Sequence, residues 1–322
     1  MKLLKATEEN IAIAAGVIIN GGLVAFPTET VYGLGADGLN PIAVAKIFEA
    51  KQRPSFNPLI LHIASIDQLE TISITGNSAI EKLIDKFWPG PLTLVLPKKE
   101  IVPDIITAGN STVAVRMPDH PVALELIKKA GRPIAAPSAN SFSQLSPTSA
   151  EHVLKQLNNK VDVILDGGNC PVGVESTILH ISDDGVSLLR PGGVAIEEIE
   201  KIIGKVKIAS AHTDTPLAPG QLYFHYAPRI PLKFFNEVAI SDFENKRVGA
   251  LFFRSNPFDI KFSEEKILSP KGDLREAAAN LFSYLHDLES ENLDIILVEA
   301  IEETGLGNAI MDRLRKAANK FI

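Results

Sequence analysis

Two neighbouring stretches carry residue types suited to handling a phosphate. FPTETVYGLG, residues 26–35, offers hydroxyls and flexible backbone in Thr28, Thr30, Tyr32, Gly33 and Gly35. KQRPSFNPL, residues 51–59, offers Lys51 and Arg53 close to the end of an expected helix, with Asn57 and Pro58 after them. Small hydroxylated groups facing a Lys/Arg pair suit a phosphate-bearing ligand, because ammonium and guanidinium groups form charge-assisted hydrogen bonds to its oxygens. The plainer reading is two cations at a helix C-terminus, worth at most about 1 kcal/mol. Pro54 ends that helix and Asn57-Pro58 leads straight into a strand, which favours the phosphate reading.

Three further segments repeat the theme. VAVRMPDHP sets Arg116 at the end of an apolar strand, where its planar fork suits a carboxylate or phosphate, and a surface role is equally compatible. PIAAPSANSFSQLSPT runs from a buried strand into Ser138, Asn140, Ser141, Ser143, Ser146 and Thr148. Thr148 is expected to cap the next helix, where Ser149 also has the chemistry of an N-cap, yet the hydroxyls outnumber what turns need, and open α/β sheets bind ligands at the carboxyl ends of their strands. GGNCPVGVESTI and LLRPGG place Ser176 and Thr177 after a glycine-rich loop and Arg190 before a Pro-Gly-Gly turn.

Other chemistries find no support. The seven histidines include no pair at helical metal spacing and Cys170 is the only cysteine, which argues against a zinc site held by side chains. No P-loop, nucleophile elbow or dinucleotide fingerprint is present, so no covalent nucleophile is advertised. His62, on an apolar strand, reads by itself as a satisfied core histidine.

These groups must be held by a framework, and the pattern predicts an α/β fold with a twisted open mixed sheet and helices. Strands are expected at 23–27, 58–63, 92–96, 113–117, 134–137, 161–165, 177–181 and 186–189, and helices at 8–20, 42–50, 78–87, 121–130, 149–156 and 196–203. Ser-Asp-Asp-Gly between the last two strands is a hairpin signal, so the sheet is mixed rather than parallel. A chain of 322 residues with 45% apolar and 22% charged residues reads as an ordinary globular protein of two domains. Its net charge of −7 argues against a dedicated nucleic-acid binder. One cysteine, an acidic start in place of a signal peptide and no bilayer-length apolar run lead to a cytoplasmic expectation with no membrane contact.

The division expected is residues 1–204 as the catalytic domain, 205–230 as an extended linker and 231–322 as a small Rossmann-like domain. The linker is rich in proline yet carries Tyr223, Phe224, His225 and Tyr226, which want a surface to pack on; a binding cleft is the obvious one. Beyond it, strands are expected at 232–235, 248–253 and 295–299, with a helix opened by an Asp273/Glu276 capping box and a last helix at about 308–319.

Nine collinear motifs resemble the threonylcarbamoyl-AMP synthase family of the YrdC-like type with an additional C-terminal domain. They are FPTETVYGLG, KQRPSFNPLILHI, FWPGPLTLVL, VAVRMPDHP, APSAN with SPT, DGG with GVESTI, LLRPGG, PGQLYFHYAP and GLGNAIMDRLRKAA. The resemblance implies a concave YrdC-like domain joined to a small Rossmann-like one. It also implies that L-threonine, bicarbonate or CO2, and ATP with Mg2+ give threonylcarbamoyl-adenylate and pyrophosphate, for tRNA modification by downstream threonylcarbamoyl transferase proteins. Carried over by position, Thr30, His62, Arg116, the backbone at Ala136, and Ser176 would form the threonine pocket. Lys51, Arg53, Asn57, Thr112, Ser138, Asn140, Ser146 and Arg190 would bind ATP, with Tyr226 closing over it and Lys51 and Arg53 assisting catalysis. Two rivals remain: an RNA-binding module of the same fold, opposed by the acidic balance, and a carbamoyl-transfer module of hydrogenase maturation, opposed by the single cysteine.

Overall fold

Short apolar strands separated by amphipathic helices build the two parallel-sided layers that such a pattern requires. The structure, a computed structural model, describes residues 1–209, 216–223, 225–243 and 245–321, side chains at 240 and 241 excepted. Phe224 and the 210–215 part of the connector, both included in the expectations above, lie outside the described residues.

The first region runs β1 (Lys2–Lys5), α1 (Glu8–Ile19), β2 (Val24–Phe26), β3 (Gly33–Asp37), α2 (Pro41–Lys51), β4 (Ile60–His62), α3 (Ile66–Ile72), α4 (Ser78–Phe87), β5 (Leu92–Pro97) and α5 (Asp104–Thr107). It continues with β6 (Thr112–Arg116), α6 (Pro121–Ala130), β7 (Ile134–Ala135), α7 (Ala150–Leu157), β8 (Val163–Asp166), β9 (Thr177–Ser182), β10 (Gly185–Arg190), α8 (Ile196–Ile203) and β11 (Lys207–Ile208). All eleven strands join one sheet in the order β1-β8-β2-β3-β7-β4-β6-β5-β9-β10-β11. It is mixed, as expected: β4 pairs parallel with β6 while β9 and β10 form the antiparallel hairpin. The second region comprises β12 (Leu232–Phe234), β13 (Val248–Phe252), β14 (Glu264–Ile267), α9 (Leu274–Ser290), β15 (Ile295–Val298) and α10 (Gly307–Ala318), with a wholly parallel sheet β12-β15-β13-β14. Among the described residues no helix is long and apolar enough to cross a membrane.

The structure corrects three local expectations. Gly33 and Gly35 do not form a flexible strand end; they lie inside β3, buried between β2 and β7. The composition hid this strand because glycine has low β propensity, but a Cβ on Gly35 would stand 2.7 Å from the Phe26 ring, so the packing demands it. Ser149, rather than Thr148, caps α7 by accepting from the His152 N–H, and Thr148 instead faces the His152 imidazole. Asp273 caps α9, but Glu276 does not return the bond: its carboxylate takes the Ser269 hydroxyl, and Ser269 receives the Asp273 N–H.

The two regions share an apolar core. Val31, Leu145 and Val174 of the first and Tyr226 and Ala227 of the connector pack in one cluster with Ala278, Phe282, Ile310 and Leu314 of α9 and α10. The described part of the connector is pinned at several points. Asn110 donates to the Pro216 carbonyl, Gln221 accepts from the N–H groups of Leu217 and Ala218, and Ala227 donates to the Ser143 carbonyl. The described part of the linker therefore lies over the strand ends of the large sheet.

Candidate functional site

A narrow hollow of about 50 Å³ opens where these strand ends meet the connector. Nine of the residues that the resemblance assigns to threonine and ATP line it: Thr30, Arg53, His62, Arg116, Ala136, Ser138, Ser176, Arg190 and Tyr226. Lys51, Asn57, Asn140 and Ser146 stand behind its wall, and Thr112 sits apart at the start of β6.

Lys51 is the last residue of α2, whose end is closed by Gln52 in the left-handed region. That turn sends the buried Lys51 ammonium to the Ser138 carbonyl, at 2.5 Å, and to the Asn140 carbonyl, so Lys51 shapes the Ser138 loop from behind. Ser138 in turn donates to Asn140 Oδ1 at 2.5 Å. Arg53 reaches forward. Its Nη2 donates to Asn57 Oδ1 at 2.7 Å and to the Pro58 carbonyl at 2.8 Å, and its Nε to the Asn57 carbonyl at 3.1 Å. On the opposite side, a bulge between Leu188 and Arg190 shifts the register of β10 and turns the Arg190 side chain inward. Arg190 donates to the Ser176 carbonyl at 2.9 and 3.1 Å, to Ser176 Oγ at 3.1 Å and to the Pro219 carbonyl at 3.3 Å.

All acceptors hydrogen-bonded to Lys51, Arg53 and Arg190 are neutral. Burial and the nearby Arg53 hold the Lys51 ammonium well below its ordinary range. Burial pushes the Arg53 guanidinium down to about 9, with Arg190 adding to the shift and Tyr226 opposing it. Burial also lowers Arg190. His225, in the connector above them, is driven well below the usual imidazole value by burial and then by Arg53, Lys51, Lys316 and Arg190. The hollow is thus a buried region of positive potential without enough carboxylates to balance it. Buried charge of one sign is costly unless something of the other sign arrives. Buried groups without a partner surround the same place: Asn57 Nδ2, His62 Nδ1 and His225 Nδ1.

Arg116, whose fork was expected to suit a carboxylate or phosphate, is buried and already meets a carboxylate. Its Nη2 lies 2.5 Å from the buried Glu29 carboxylate, Nη1 donates to Thr30 Oγ1 at 2.9 Å and Nε to the Gly90 carbonyl at 3.1 Å. Thr30 and Thr28 share a hydrogen bond of 2.8 Å, and Ser176 and Thr93 one of 2.7 Å, so this end of the hollow is a set of fixed hydroxyls around a neutralised guanidinium. His62 is kept neutral, at about 3, by burial and by Arg116. It lines the hollow in addition to packing edge-on against Phe26.

Sequence reasoning missed Glu29, Glu175, Gly220 and Arg313, and expected His225 only as a connector group packed on the cleft. Gly220 has φ of +91°, and a Cβ there would meet Arg190 Cδ at 2.6 Å and Tyr226 Oη at 3.0 Å, so only glycine lets the connector settle this closely. Glu29 and Glu175 were legible as acids inside hydroxyl-rich motifs. Arg313 gave no such signal, because it stands on an amphipathic helix of ordinary composition.

Comparison with known proteins gives the family. A family model described as telomere recombination, for Sua5, YciO and YrdC proteins, matches residues 16–192, and one for the C-terminal domain of threonylcarbamoyl-AMP synthase matches residues 194–319. The threonylcarbamoyl-AMP synthase of Pyrococcus abyssi is 47% identical, covering 97% of this chain and 94% of the relative; that of Bacillus subtilis is 44% identical, covering 98% and 94%. The crystal structure of P. abyssi Sua5 complexed with L-threonine superposes with a TM-score of 0.92 at 46% identity over 99% of this chain and 98% of that one. E. coli YciO shares the fold of the first region, with a TM-score of 0.53 at 24% identity over 59% of this chain and 94% of that one. Two family models in tandem and near full-length relatives place the chain in the threonylcarbamoyl-AMP synthase family.

Proposed function

We propose that this protein joins L-threonine, bicarbonate or CO2, and ATP into threonylcarbamoyl-adenylate with release of pyrophosphate. The product then passes to transferase proteins that modify tRNA. The observation that carries the reading is the buried trio Lys51, Arg53 and Arg190, whose hydrogen-bond acceptors are all neutral and whose charge calls for a polyanion. A triphosphate supplies that anion.

The reaction needs alignment more than a base. The threonine amine and bicarbonate give a carbamate and water. A carbamate oxygen then attacks the α-phosphorus, and the bond to the departing pyrophosphate breaks. The nucleophile is already an anion, so the protein contributes positioning and fixed positive charge. Arg53 and Arg190 face the phosphates, with Ser138, Asn140, Asn57 and Ser146 shaping the same wall and Lys51 bracing it. Threonine lies at the other end, against Thr30, His62, Arg116, the Ala136 backbone and Ser176. Neutral His62 and paired Arg116 suit a zwitterion better than an isolated cation would. Tyr226 covers the nucleotide and excludes water from a labile adenylate. Thr112, at the head of β6, is the most peripheral member of the proposed nucleotide set.

Mg2+ accompanies ATP in this reading. Glu29 and Glu175 are each taken by an arginine, and among the described residues no group of three or more His, Cys, Asp or Glu side chains gathers to cage a metal. In this reading the triphosphate oxygens and water would hold the ion. Pyrophosphate release with ATP and Mg2+ tests the whole: threonine alone and bicarbonate alone are expected to give background, and the two together a large rise. Release that needs neither defeats the reading.

A further inference from the structure

Arg313 lies on α10, in the second region, yet it is one of the most deeply buried side chains of the molecule at 1% exposure. Its guanidinium touches three segments that wall the hollow. Nε donates to Glu175 Oε2 at 2.7 Å, Nη1 to the carbonyl of Pro191 at 3.0 Å, and the guanidinium carbon sits 4.9 Å from the centre of the Tyr226 ring. Asp312 balances it at 2.6 Å and also pairs with Lys316 at 2.7 Å, while Lys316 donates to the Gly220 carbonyl at 2.7 Å. The other oxygen of Glu175 accepts from the Ser146 hydroxyl.

Glu175 is the acid that matters. It lines the hollow next to Ser176, whose carbonyl and hydroxyl hold Arg190. Burial opposes its charge, and Arg313, Arg190 and Ser146 restore it, so its carboxyl stays ionised below the ordinary range. An ionised carboxylate beside Arg190 is a competitor for that guanidinium. Yet Arg190 makes no hydrogen bond to Glu175, whose two oxygens are held by Ser146 and Arg313.

We propose that Arg313 is a positioning residue of the nucleotide site: by occupying Glu175 from the second domain, it keeps Arg190 free for the phosphates. The assignment rests on the reading of the hollow as an ATP site. It makes the second domain part of the site, since without α10 the carboxylate at the wall would capture a phosphate-binding cation. It also distinguishes Arg313 from a clasp that merely docks two domains.

The test is second-site rescue, read as the Kd for ATP by equilibrium dialysis and as the KM for ATP in threonine-dependent pyrophosphate release. Arg313→Met is expected to weaken ATP binding about tenfold, within the range of coupling in a shared ion-pair network, with little change in the KM for threonine. Adding Glu175→Gln should restore affinity to within about threefold of the unsubstituted protein, because no carboxylate is left to capture Arg190. A docking clasp would change the melting temperature and the active fraction without changing the KM, and the second substitution would deepen the loss. Unaltered ATP affinity in Arg313→Met, or a double variant no better than the single one, overturns the proposal. Should Arg313→Met fail to fold, the double variant, which leaves no stranded buried charge, is compared with Glu175→Gln alone. Equal ATP affinities support the proposal, and a double variant about tenfold weaker refutes it. Dialysis reports on Arg313 whatever the turnover. Absence of threonine-dependent pyrophosphate release by the unsubstituted protein would instead condemn the reading of the reaction.

Discussion

Replacing Arg53 by glutamine separates the cost of the site from its use. In the folded protein Arg53 is buried, its hydrogen bonds go to neutral oxygens, and burial with Arg190 pushes its guanidinium down to about 9. The sign follows from linkage: a cation that holds its proton less tightly when folded is a net cost at every pH below its folded value. At pH 7 that cost is on the order of several kcal/mol, and glutamine removes it. Against this, Asn57 and Pro58 lose donors, at about 1–3 kcal/mol, and the glutamine amide replaces one of them. The two terms nearly cancel or leave a small gain, so the variant without nucleotide should melt at the same temperature or up to about 4 °C higher. Losing a charge-assisted bond to phosphate costs about 1.5–3 kcal/mol, which weakens ATP about 10–150-fold. Thermal melts with and without ATP, beside the KM for ATP in the pyrophosphate assay, read both sides of the balance. A variant that melts several degrees lower without nucleotide while keeping its ATP affinity would refute the reasoning, since Arg53 would then be structural.

Further outcomes follow from other parts of the site. Gly220→Ala should lower ATP-dependent turnover at least tenfold with a smaller effect on melting, because the methyl group strikes Arg190 and Tyr226 at a left-handed position; turnover like that of the unsubstituted protein would contradict it. Valine in place of threonine should be used at least about a hundredfold less efficiently, because its methyl group would lie against the fixed hydroxyls of Thr30 and Ser176 without a hydrogen bond to offer them, and comparable kcat/KM for the two would overturn the threonine pocket. His152 and His286 stack at 3.9 Å between α7 and α9, where burial holds them at about 4 and about 3. Both values are depressed, so unfolded imidazoles take up protons first and stability drains away as pH falls below about 6.5. His286→Leu should therefore show a flatter decline in melting temperature between pH 7 and pH 5, and an unchanged slope would show that the pair carries none of it.

Much of the framework was readable in the chain. The alternation of apolar strands with capped helices predicted α4, α6 and α8 at their observed bounds, the β9–β10 hairpin from its turn residues, and the mixed character of the large sheet. These features depend on interactions within a few residues, where caps, turn chemistry and periodicity act. Strands that break the local rules escaped: β3 is rich in glycine, β1 is a mostly exposed Lys-Leu-Leu-Lys edge, and β11 has two residues. The candidate site was legible as a set of cations and hydroxyls gathered at strand ends, since residue type alone limits what such groups bind.

Which of those groups face the hollow was decided by tertiary contacts. Lys51 and Arg53 are two positions apart, yet one braces the wall and the other enters the hollow, because Ser138 and Asn140 lie across the first and Asn57 and Pro58 beside the second. Arg116 met Glu29, and Glu175 met Arg313 from 138 positions away. Amino-acid type determined that this chain sets cations and hydroxyls together in its motifs. Only packing of the connector and second domain against the sheet determined how that charge is shared out, because electrostatic pairing follows distance in space and burial, neither of which is written in sequence order.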